Sequence, residues 1–365
     1  MAKAKKLSKG FIVFLAILFS AIGFAAGFFG YGVYGEINPE KGNVYYSGGL
    51  SIHFPELGNY KTGDCTLIKK GSTEILIDAG ASTDNIDTVD EYIKKYCEDG
   101  ILEYVVVTHA HEDHYAGFTT ENSLFNRYKI GVIIEFAQIT EGKAEQKMYK
   151  NYVRERNEAV EAGAKCYTAK EVREQNNYVF DLGGGTTFTV LDSYYYYNVS
   201  KTENDHSVCT LLTQGDSNFL FTGDLEKKGE EKLVELNSLP QVELYKAGHH
   251  GSKTSSNEKL LEVIKPKRVC VCCCAGTSEY TDVKNNQFPT QDFINRIAPY
   301  TDKVYITSMV DDDAKKTYKS MNGSIVVSIK RVGIVVECSN NNTVLKDTEW
   351  FKNNRECPDA WKSAA

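Results

Sequence analysis

Residues 108–117, with the sequence THAHEDHYAG, constrain what this chain can fold into more than any other stretch does. They follow the apolar run 101–107, ILEYVVV, which has the composition of a buried β-strand. Three imidazoles and a carboxylate therefore leave the end of one strand together, which is a poor composition for a hydrophobic core. Imidazole nitrogens and carboxylate oxygens are ligands of zinc, manganese and iron. The stretch thus predicts a metal site at a strand end.

The spacing within this stretch favours a site for two neighbouring ions. His109 and His111 alternate with Ala110, so both rings face the same way in an extended segment. Asp113 and His114 are adjacent and reach the same place only if the chain turns. The alternative, a solvated polar loop, accounts for one or two histidines but not for four ligand-type residues in six positions.

The segment 109–114 resembles the HxHxDH signature of the metallo-β-lactamase superfamily. Further landmarks of that superfamily lie in order before and after this segment, over about residues 48 to 337. The resemblance implies an α/β fold, a four-layer αββα metallo-β-lactamase sandwich. The matching positions are Asp64 after Gly63, Asp78 at the end of the strand-like segment 73–80, Asp224 in Thr222-Gly223-Asp224, and the segment His249-His250-Gly251-Ser252.

The resemblance implies two divalent metal ions, with zinc as the expected metal and manganese as the alternative. Asp224 would bridge the ions, and a hydroxide shared by them would be the nucleophile. Asp113 would orient that hydroxide, and His249 would donate to a phosphoryl oxygen or protonate the leaving group, unless it only braces another ring. The expected ligands are His109, His111 and Asp224 for the first ion, and Asp113, His114, His250 and Asp224 for the second.

Residues 203–208, ENDHSV, resemble the Asn-Asp-x-Ser pattern of the branch typified by the C-terminal hydrolase domain of the competence protein ComEC. Many superfamily members supply a further histidine in this region. Here His206 occupies the variable position, so Asn204 rather than His206 is expected near the metal. Asp64, Asp78 and Ser252 are expected to contact the substrate or to brace the ligands.

The branch indicates a metal-dependent phosphodiesterase, acting on nucleic acid or on a cell-envelope polymer. Residues 285–289 lack the histidine that the branch often has there, and no multi-span channel accompanies the domain, so DNA uptake by this chain alone does not follow. A net charge of −7 supplies no general field for nucleic acid. Two alternatives stay open: an acyl hydrolase of a lactam, lactone or thioester, and a non-catalytic binding module. No protein partner is identifiable.

The N-terminal region predicts a membrane protein. Residues 1–9 carry four lysines, and residues 10–35 carry no charge and are long enough to cross a bilayer. We expect a single-pass anchor in the cell membrane with its basic end in the cytoplasm and the catalytic domain outward. A cleaved signal segment, and hence a secreted protein, is the alternative. Residues 36–47 would form a linker, 48–338 the hydrolase domain, and 339–365 a C-terminal tail that docks or is loose.

Four of the ten cysteines lie in one apolar run, 268–274. We expect this run to be a buried strand whose thiols, at Cys270, Cys272, Cys273 and Cys274, act as small hydrophobic groups rather than as metal ligands or disulfide partners. Helices are predicted over residues 84–97 and 147–162. Strand, ligand loop and helix alternate along the chain, so two facing halves would place the ligand loops on one edge.

Overall fold

The computed structural model describes residues 36–37, 44–45, 49–330 and 332–362, in two compact units divided at Gly49. In the first unit, strand β1 (Glu36–Ile37) pairs antiparallel with β2 (Val44–Tyr45). The predicted basic segment 1–9 and membrane segment 10–35 lie outside the described residues. Within the described ranges, no helix has the length and apolar character needed to span a bilayer.

The second unit contains two eight-stranded sheets. Its strands are β3 (Leu50–Phe54), β4 (Cys65–Lys70), β5 (Thr73–Ala79), β6 (Ile101–Val107), β7 (Lys129–Glu135), β8 (Lys165–Thr168), β9 (Val179–Gly183), β10 (Thr186–Val190), β11 (Thr210–Gln214), β12 (Ser217–Phe221), β13 (Leu244–Lys246), β14 (Val269–Ala275), β15 (Val304–Asp312), β16 (Thr317–Ser320), β17 (Ile325–Lys330) and β18 (Gly333–Cys338). The first sheet has the order β18-β17-β3-β4-β5-β6-β7-β8, and the second has the order β16-β15-β14-β13-β12-β11-β10-β9.

The described α-helices lie between these strands or after them. They are α1 (Ile86–Ile93), α2 (Glu112–Tyr115), α3 (Leu124–Arg127), α4 (Lys147–Glu161), α5 (Ala169–Glu174), α6 (Lys227–Leu236), α7 (Glu258–Ile264), α8 (Gln291–Ile297) and α9 (Glu349–Asn354). The helix predicted over 147–162 is confirmed. The helix predicted over 84–97 is shorter, because a 3₁₀ turn over Thr83–Asn85 precedes it and non-helical turns follow Ile93.

Two groups of buried apolar side chains hold the sheets and helices of the domain together in layers. One group joins the facing sides of the two sheets and also packs α1 and α4 onto the first sheet, through residues such as Val89 and Tyr152. The other group packs α6, α7 and α8 onto the outer side of the second sheet, through residues such as Leu233 and Phe293. The arrangement is the two-sheet αββα sandwich that the sequence predicts.

Four adjacent parallel strands in each sheet bring the ligand loops together. Strands β5 to β8 are parallel, and so are β12 to β15. Parallel strands end at the same edge of a sheet, and this edge is where α/β proteins usually bind ligands. The carboxyl ends of β5, β6, β12 and β13 lead into Asp78, the 108–117 loop, Asp224 and the His249-His250 pair. A hydrogen bond from Val208 N–H to Thr108 O, at 2.9 Å, joins the two halves there.

The cysteine-rich run forms β14, and all seven of its residues are buried. Cys270 and Cys272 contribute to the core between the sheets, whereas Cys273 faces the helices on the other side. A strand covered on both faces is apolar throughout, so the run does not alternate. All ten cysteines are free thiols, and the prediction of core thiols is confirmed.

The C-terminal tail docks, so one of the two alternatives left by the sequence is correct. Phe351 on α9 and Trp361 are 2% and 5% exposed and pack with the helices of the second sheet. The indole N–H of Trp361 donates to Thr301 O at 2.9 Å. Residues 345–361 therefore belong to the folded domain.

Candidate metal centre

The 108–117 loop turns immediately after β6, as the ligand spacing requires. His111 has an extended backbone and precedes α2, a single helical turn that carries Asp113 and His114. The N–H of His114 donates to His111 O at 3.1 Å and closes this turn. A Cβ on Gly80 would lie 2.8 Å from the Asp113 backbone, so a glycine is needed where β5 meets the loop.

Four of the predicted ligand side chains converge on one point. His114 Nε2 lies 3.3 Å from His250 Nε2 and 3.1 Å from Asp224 Oδ2. His250 Nε2 lies 3.3 Å from Asp224 Oδ2 and 3.3 Å from Asp113 Oδ2. Ligands at about 2.0–2.1 Å from a tetrahedral zinc ion would be separated by about 3.3 Å. These atoms therefore have the mutual spacing of ligands around one cation.

A second pair of nitrogen atoms lies beside this group. His109 Nε2 is 3.0 Å from His111 Nδ1, and the His109 and His114 rings have centroids 4.2 Å apart. Burial lowers the pKa of His109 and His111, and the Asp224 carboxylate opposes that effect on both rings. Neutral rings that share one nearby carboxylate can hold an ion next to the first one.

Asp78 holds the loop and the His114 ring from behind. It has a left-handed backbone, with φ of 56°, at the end of β5. Its carboxylate accepts from the Thr108 N–H at 2.8 Å, the Thr108 hydroxyl at 2.7 Å and His114 Nδ1 at 2.8 Å. The proton on Nδ1 leaves Nε2 free to bind a cation, which is how carboxylates commonly orient metal-binding histidines.

Asp64 lies beside the Nδ1 edge of His250 and carries its own counter-ion. Its Oδ1 lies 3.1 Å from His250 Nδ1, which also faces Cys272 O at 2.9 Å. The buried ammonium group of Lys246 pairs with Asp64 Oδ2. Asp64, His114, Asp224 and His250 each offer a ligand atom within 4.8 Å of the others. Asp64 faces the Nδ1 atom of His250, on the opposite edge of the ring from the Nε2 atom that meets Asp113 and Asp224. This position indicates that Asp64 orients His250.

The electrostatics of the cluster favour a bound cation. Burial would lower the pKa of His114 and His250, but the nearby carboxylates, Asp224 above all, raise it well above 6.5. Asp224 is 1% exposed, and its Oδ1 has no hydrogen-bond partner. Metal ions and protons compete for histidine nitrogens and carboxylate oxygens. A bound cation would therefore pair with the Asp224 carboxylate and displace the protons from His114 and His250. The residues present therefore fit divalent metal ions.

His249 reaches the edge of the cluster in a strained backbone. His249 and His250 have φ of 47° and 53°, a region that costs non-glycine residues on the order of 1–3 kcal/mol each. His249 Nδ1 lies 2.9 Å from the Thr254 hydroxyl, which is 3.2 Å from the Ser252 hydroxyl. Its Nε2 lies 3.8 Å from Asp224 Oδ2. In this backbone conformation, the Nε2 edge of the His249 ring faces the proposed metal ligand Asp224.

Asn204 and His206 have different surroundings, and the expectation that Asn204 approaches the metal stays a prediction. His206 is fully buried, but Nε2 accepts from the Ser200 N–H at 3.1 Å and Nδ1 lies 3.4 Å from Glu203. Both ring nitrogens are thus engaged within the loop that carries them. Asn204 donates to Glu226 at 3.1 Å, and its buried Oδ1 has no partner.

Several residues of the site are absent from the predicted set. The Ser207 hydroxyl accepts from the Asp224 N–H at 3.0 Å and lies 3.4 Å from His109 Nδ1; as the last residue of the Asn-Asp-x-Ser pattern, it could have been predicted. Lys246 could have been suspected as a charge at the end of a buried strand. Tyr280 donates to Asp113 Oδ2 at 3.0 Å, and Phe288 packs beside both 249–250 rings. Tyr280 stands in no recognisable motif, whereas Phe288 lies in the 285–289 segment, where the expected histidine is absent.

A buried carboxyl group outside the cluster fixes the loop that follows His250. Glu230 on α6 is fully buried and accepts from the N–H groups of Ser256 and Asn257, at 2.7 and 2.8 Å. Burial raises the pKa of Glu230 from 4.5 to about 7 in spite of these hydrogen bonds. Between these values the folded state holds a proton that the unfolded state has released. The stabilisation is complete below pH 4.5 and is lost as the pH rises through 7.

We therefore expect the Glu230→Gln variant to remove part of the pH dependence of stability. In the natural protein, this one group should lower the free energy of unfolding by on the order of 3 kcal/mol between pH 4.5 and 8. Urea denaturation at pH 5 and pH 8 would measure the difference. Glu262→Gln, at an exposed position on α7, is the control and should keep the natural slope. An equally steep slope in Glu230→Gln would contradict the raised pKa.

Comparisons with known proteins agree with this geometry. The model of the metallo-beta-lactamase superfamily matches residues 59–275. The chain is 28% identical over 206 residues to Recombination protein 2 of Haemophilus influenzae, and 28% identical over 127 residues to ComE operon protein 3 of Bacillus subtilis. The matches cover 56% and 34% of this chain but 22% and 15% of those proteins. The matched regions thus span less than a quarter of each relative.

Solved structures also match this chain, at low sequence identity. The metallo-beta-lactamase fold protein YhfI from Bacillus subtilis has a TM-score of 0.40 and 12% identity, over 71% of this chain and 96% of that chain. The short form of human tRNase Z has a TM-score of 0.38 and 12% identity, over 77% of this chain and 99% of that chain. The family model matches more than half of the sequence. With the two curated relatives it confirms the predicted ComEC-like resemblance, and the chain belongs to the metallo-beta-lactamase superfamily.

Proposed function

We propose that this chain is a binuclear metal-dependent phosphodiesterase, anchored in the cell membrane by residues 10–35 with its catalytic domain outward. The observation that carries the enzymatic part is the convergence of His114 Nε2, His250 Nε2 and the Asp113 and Asp224 carboxylates at 3.1–3.3 Å, beside the His109–His111 pair. A non-catalytic binding module would not require this complete set of metal-binding side chains. Zinc would suit the nitrogen-rich ligands, and manganese is the second candidate.

The proposed ligand sets are those that the family resemblance implies. His109, His111 and Asp224 would hold one ion, and Asp113, His114, His250 and Asp224 the other. When bound, the two ions would supply Lewis acidity that activates water and offsets charge on a phosphoryl oxygen. The Asp78 carboxylate accepts from His114 Nδ1 and the Cys272 carbonyl oxygen accepts from His250 Nδ1, so that the Nε2 atoms stay available.

The polar groups around the ligands would bind and orient the substrate. Asp113 Oδ2 lies at the open side of the cluster and can accept a hydrogen bond from the attacking water. The Thr254 hydroxyl can donate to His249 Nδ1, which leaves the Nε2 proton of His249 to donate to a phosphoryl oxygen. Ser252 is linked to Thr254 at 3.2 Å and supports this orientation.

The residues near His206 favour a phosphodiester over an acyl substrate. The acyl-hydrolysing branches typically supply a third histidine to the first ion, whereas both ring nitrogens of His206 are engaged by Ser200 and Glu203. The name of one curated relative, Recombination protein 2, supports a nucleic acid as the diester. A cell-envelope polymer would also be within reach of an outward-facing domain.

A chromogenic diester tests the proposal. The full chain, purified in detergent without chelator, is expected to hydrolyse bis(p-nitrophenyl) phosphate when zinc or manganese is added. Asp113→Asn should lower the rate by on the order of 10²-fold or more, because this carboxylate both binds a metal and positions water. Asp181→Asn, in strand β9, should keep the full rate.

Two results would overturn the proposal in different ways. A folded protein that holds two ions but hydrolyses no phosphodiester would point to a lactam, lactone or thioester substrate. A folded protein that holds no ion would leave the binding-module alternative.

A further inference from the structure

A tyrosine reaches the metal cluster from the loop that contains residues 285–289, where the histidine expected from the branch is absent. Residues 276–290 connect β14 to α8, and within them Tyr280 donates its hydroxyl hydrogen bond to Asp113 Oδ2 at 3.0 Å. The side chain of Tyr280 is nevertheless 55% exposed. It therefore touches a metal ligand on one side and solvent on the other, the place from which a substrate would approach.

An aromatic contact relates Tyr280 to both histidines of the 249–250 segment. The Tyr280 and Phe288 rings have centroids 5.5 Å apart. Phe288 is in turn 5.7 Å from the His249 ring and 5.7 Å from the His250 ring. Aromatic pairs at such distances stabilise one another in tilted arrangements. The phenol is held on the same side of the cluster as His249, so both can face one bound group.

The C-terminal segment fixes the base of this loop. The Arg355 guanidinium is buried and donates to Pro289 O at 3.0 Å and to Gln287 O at 2.7 Å. The N–H of Gly276 donates to Phe288 O at 2.8 Å, which closes the loop at its two ends. An anchored loop loses little entropy when a substrate binds, so a hydrogen bond from Tyr280 would contribute most of its energy to binding.

The loop is also tied to the opposite wall of the site. The Thr62 N–H donates to the Glu279 carboxylate at 2.9 Å, and the Ser278 N–H donates to the Tyr60 hydroxyl at 3.0 Å. Both contacts are made by residues immediately before Tyr280. Contacts of the loop thus hold the phenol from two directions, in addition to its ring contact with Phe288.

We propose that Tyr280 is a catalytic residue whose hydroxyl donates a hydrogen bond to a non-bridging phosphoryl oxygen of the bound diester. This inference rests on the proposed phosphodiesterase function. A phenol is protonated at neutral pH and can move its hydrogen bond from Asp113 to a substrate oxygen without a change of charge. Such a donor is strengthened when its acceptor is anionic. Tyr280 and His249 would then hold the phosphoryl group from one side while the metal ligands face the other.

The test compares Tyr280→Phe with the natural full chain loaded with zinc. The change removes one oxygen and keeps the ring that packs on Phe288. We expect kcat for bis(p-nitrophenyl) phosphate to fall by on the order of 10²-fold, the usual effect of removing one oxyanion donor. Calorimetric titration with inorganic phosphate should show roughly tenfold weaker binding, as expected for one hydrogen bond to a charged group. The zinc content should not change.

Tyr300→Phe is the matched control and should keep both values. It lies after α8, where the chain approaches the amino end of β15, away from the ligand loops. Natural kcat and natural phosphate affinity in Tyr280→Phe would overturn the proposal for Tyr280 and leave the phosphodiesterase function standing. If the natural chain hydrolyses no diester, that function fails. The phosphate titration then still decides whether Tyr280 contacts a bound oxyanion, because equal affinities would exclude it.

Discussion

Replacing Asp224 by asparagine is expected to reduce phosphodiester hydrolysis by on the order of 10³-fold, because both proposed ions would lose their shared anionic ligand. Oδ2 of Asp224 lies 3.1 Å from His114 Nε2 and 3.3 Å from His250 Nε2. The asparagine amide would present a neutral group at this point. The variant should also retain less zinc, since the carboxylate that draws positive charge to both rings is gone.

The fold of the Asp224→Asn variant should survive. The asparagine side chain has nearly the same shape as that of aspartate. The backbone N–H of residue 224 can still donate to the Ser207 hydroxyl, as it does at 3.0 Å in the natural chain. Initial rates, metal content and thermal unfolding, measured on one preparation, separate loss of function from loss of structure. Asp216→Asn, in the exposed turn between β11 and β12, makes the same chemical change and should alter none of them. A variant with natural activity would refute the bridging role.

Removing the metal with a chelator is expected to lower the melting temperature by roughly 10 °C. The cluster buries the carboxylates of Asp64, Asp78 and Asp224, each no more than 4% exposed. Lys246 neutralises only Asp64 directly. Without a cation, the remaining charge is met by protons on His114 and His250. A ligand that binds only the folded state stabilises it in proportion to the logarithm of its concentration over Kd.

Differential scanning calorimetry with and without chelator measures this effect. Zinc or manganese added in excess should restore the melting temperature, whereas calcium should not, because it prefers oxygen ligands. Asp224→Asn should show a much smaller response to the chelator than the natural chain. A melting temperature that does not change when bound metal is removed would mean that these residues hold no structural or catalytic ion.

The sequence by itself identified most of the proposed ligands. His109, His111, Asp113 and His114 follow one buried strand, and Asp224 and His250 follow two others, so strand patterns alone placed them on loops. Their convergence could be expected because parallel strands end at one edge. The cysteine run was predictable for the same reason, since a strand covered on both faces must be apolar throughout. Local patterns determine these features without knowledge of distant contacts.

Other features depend on which distant residues meet. The sequence favoured Asn204 over His206 by pattern, but only the fold shows that Ser200 and Glu203 engage both His206 nitrogens. The tail from residue 339 was compatible with docking or with a loose segment. It docks because Phe351 and Trp361 find apolar partners on helices that come much earlier in the chain. Such contacts have no signature in the tail itself.

The position of Tyr280 beside Asp113 depends most clearly on the tertiary structure. The hydroxyl meets Asp113, which lies 167 residues earlier, because Arg355 and Gly276 fix the ends of its loop. No periodicity or motif marks this tyrosine, since loop residues follow no regular spacing. The sequence determined which strands would carry the proposed metal ligands and indicated that they would share an edge, because burial and strand direction are local properties. Only the tertiary structure decided which side chains hydrogen-bond to those residues, neutralise their charge or lie between them and the solvent, because such contacts are made between segments far apart in the chain.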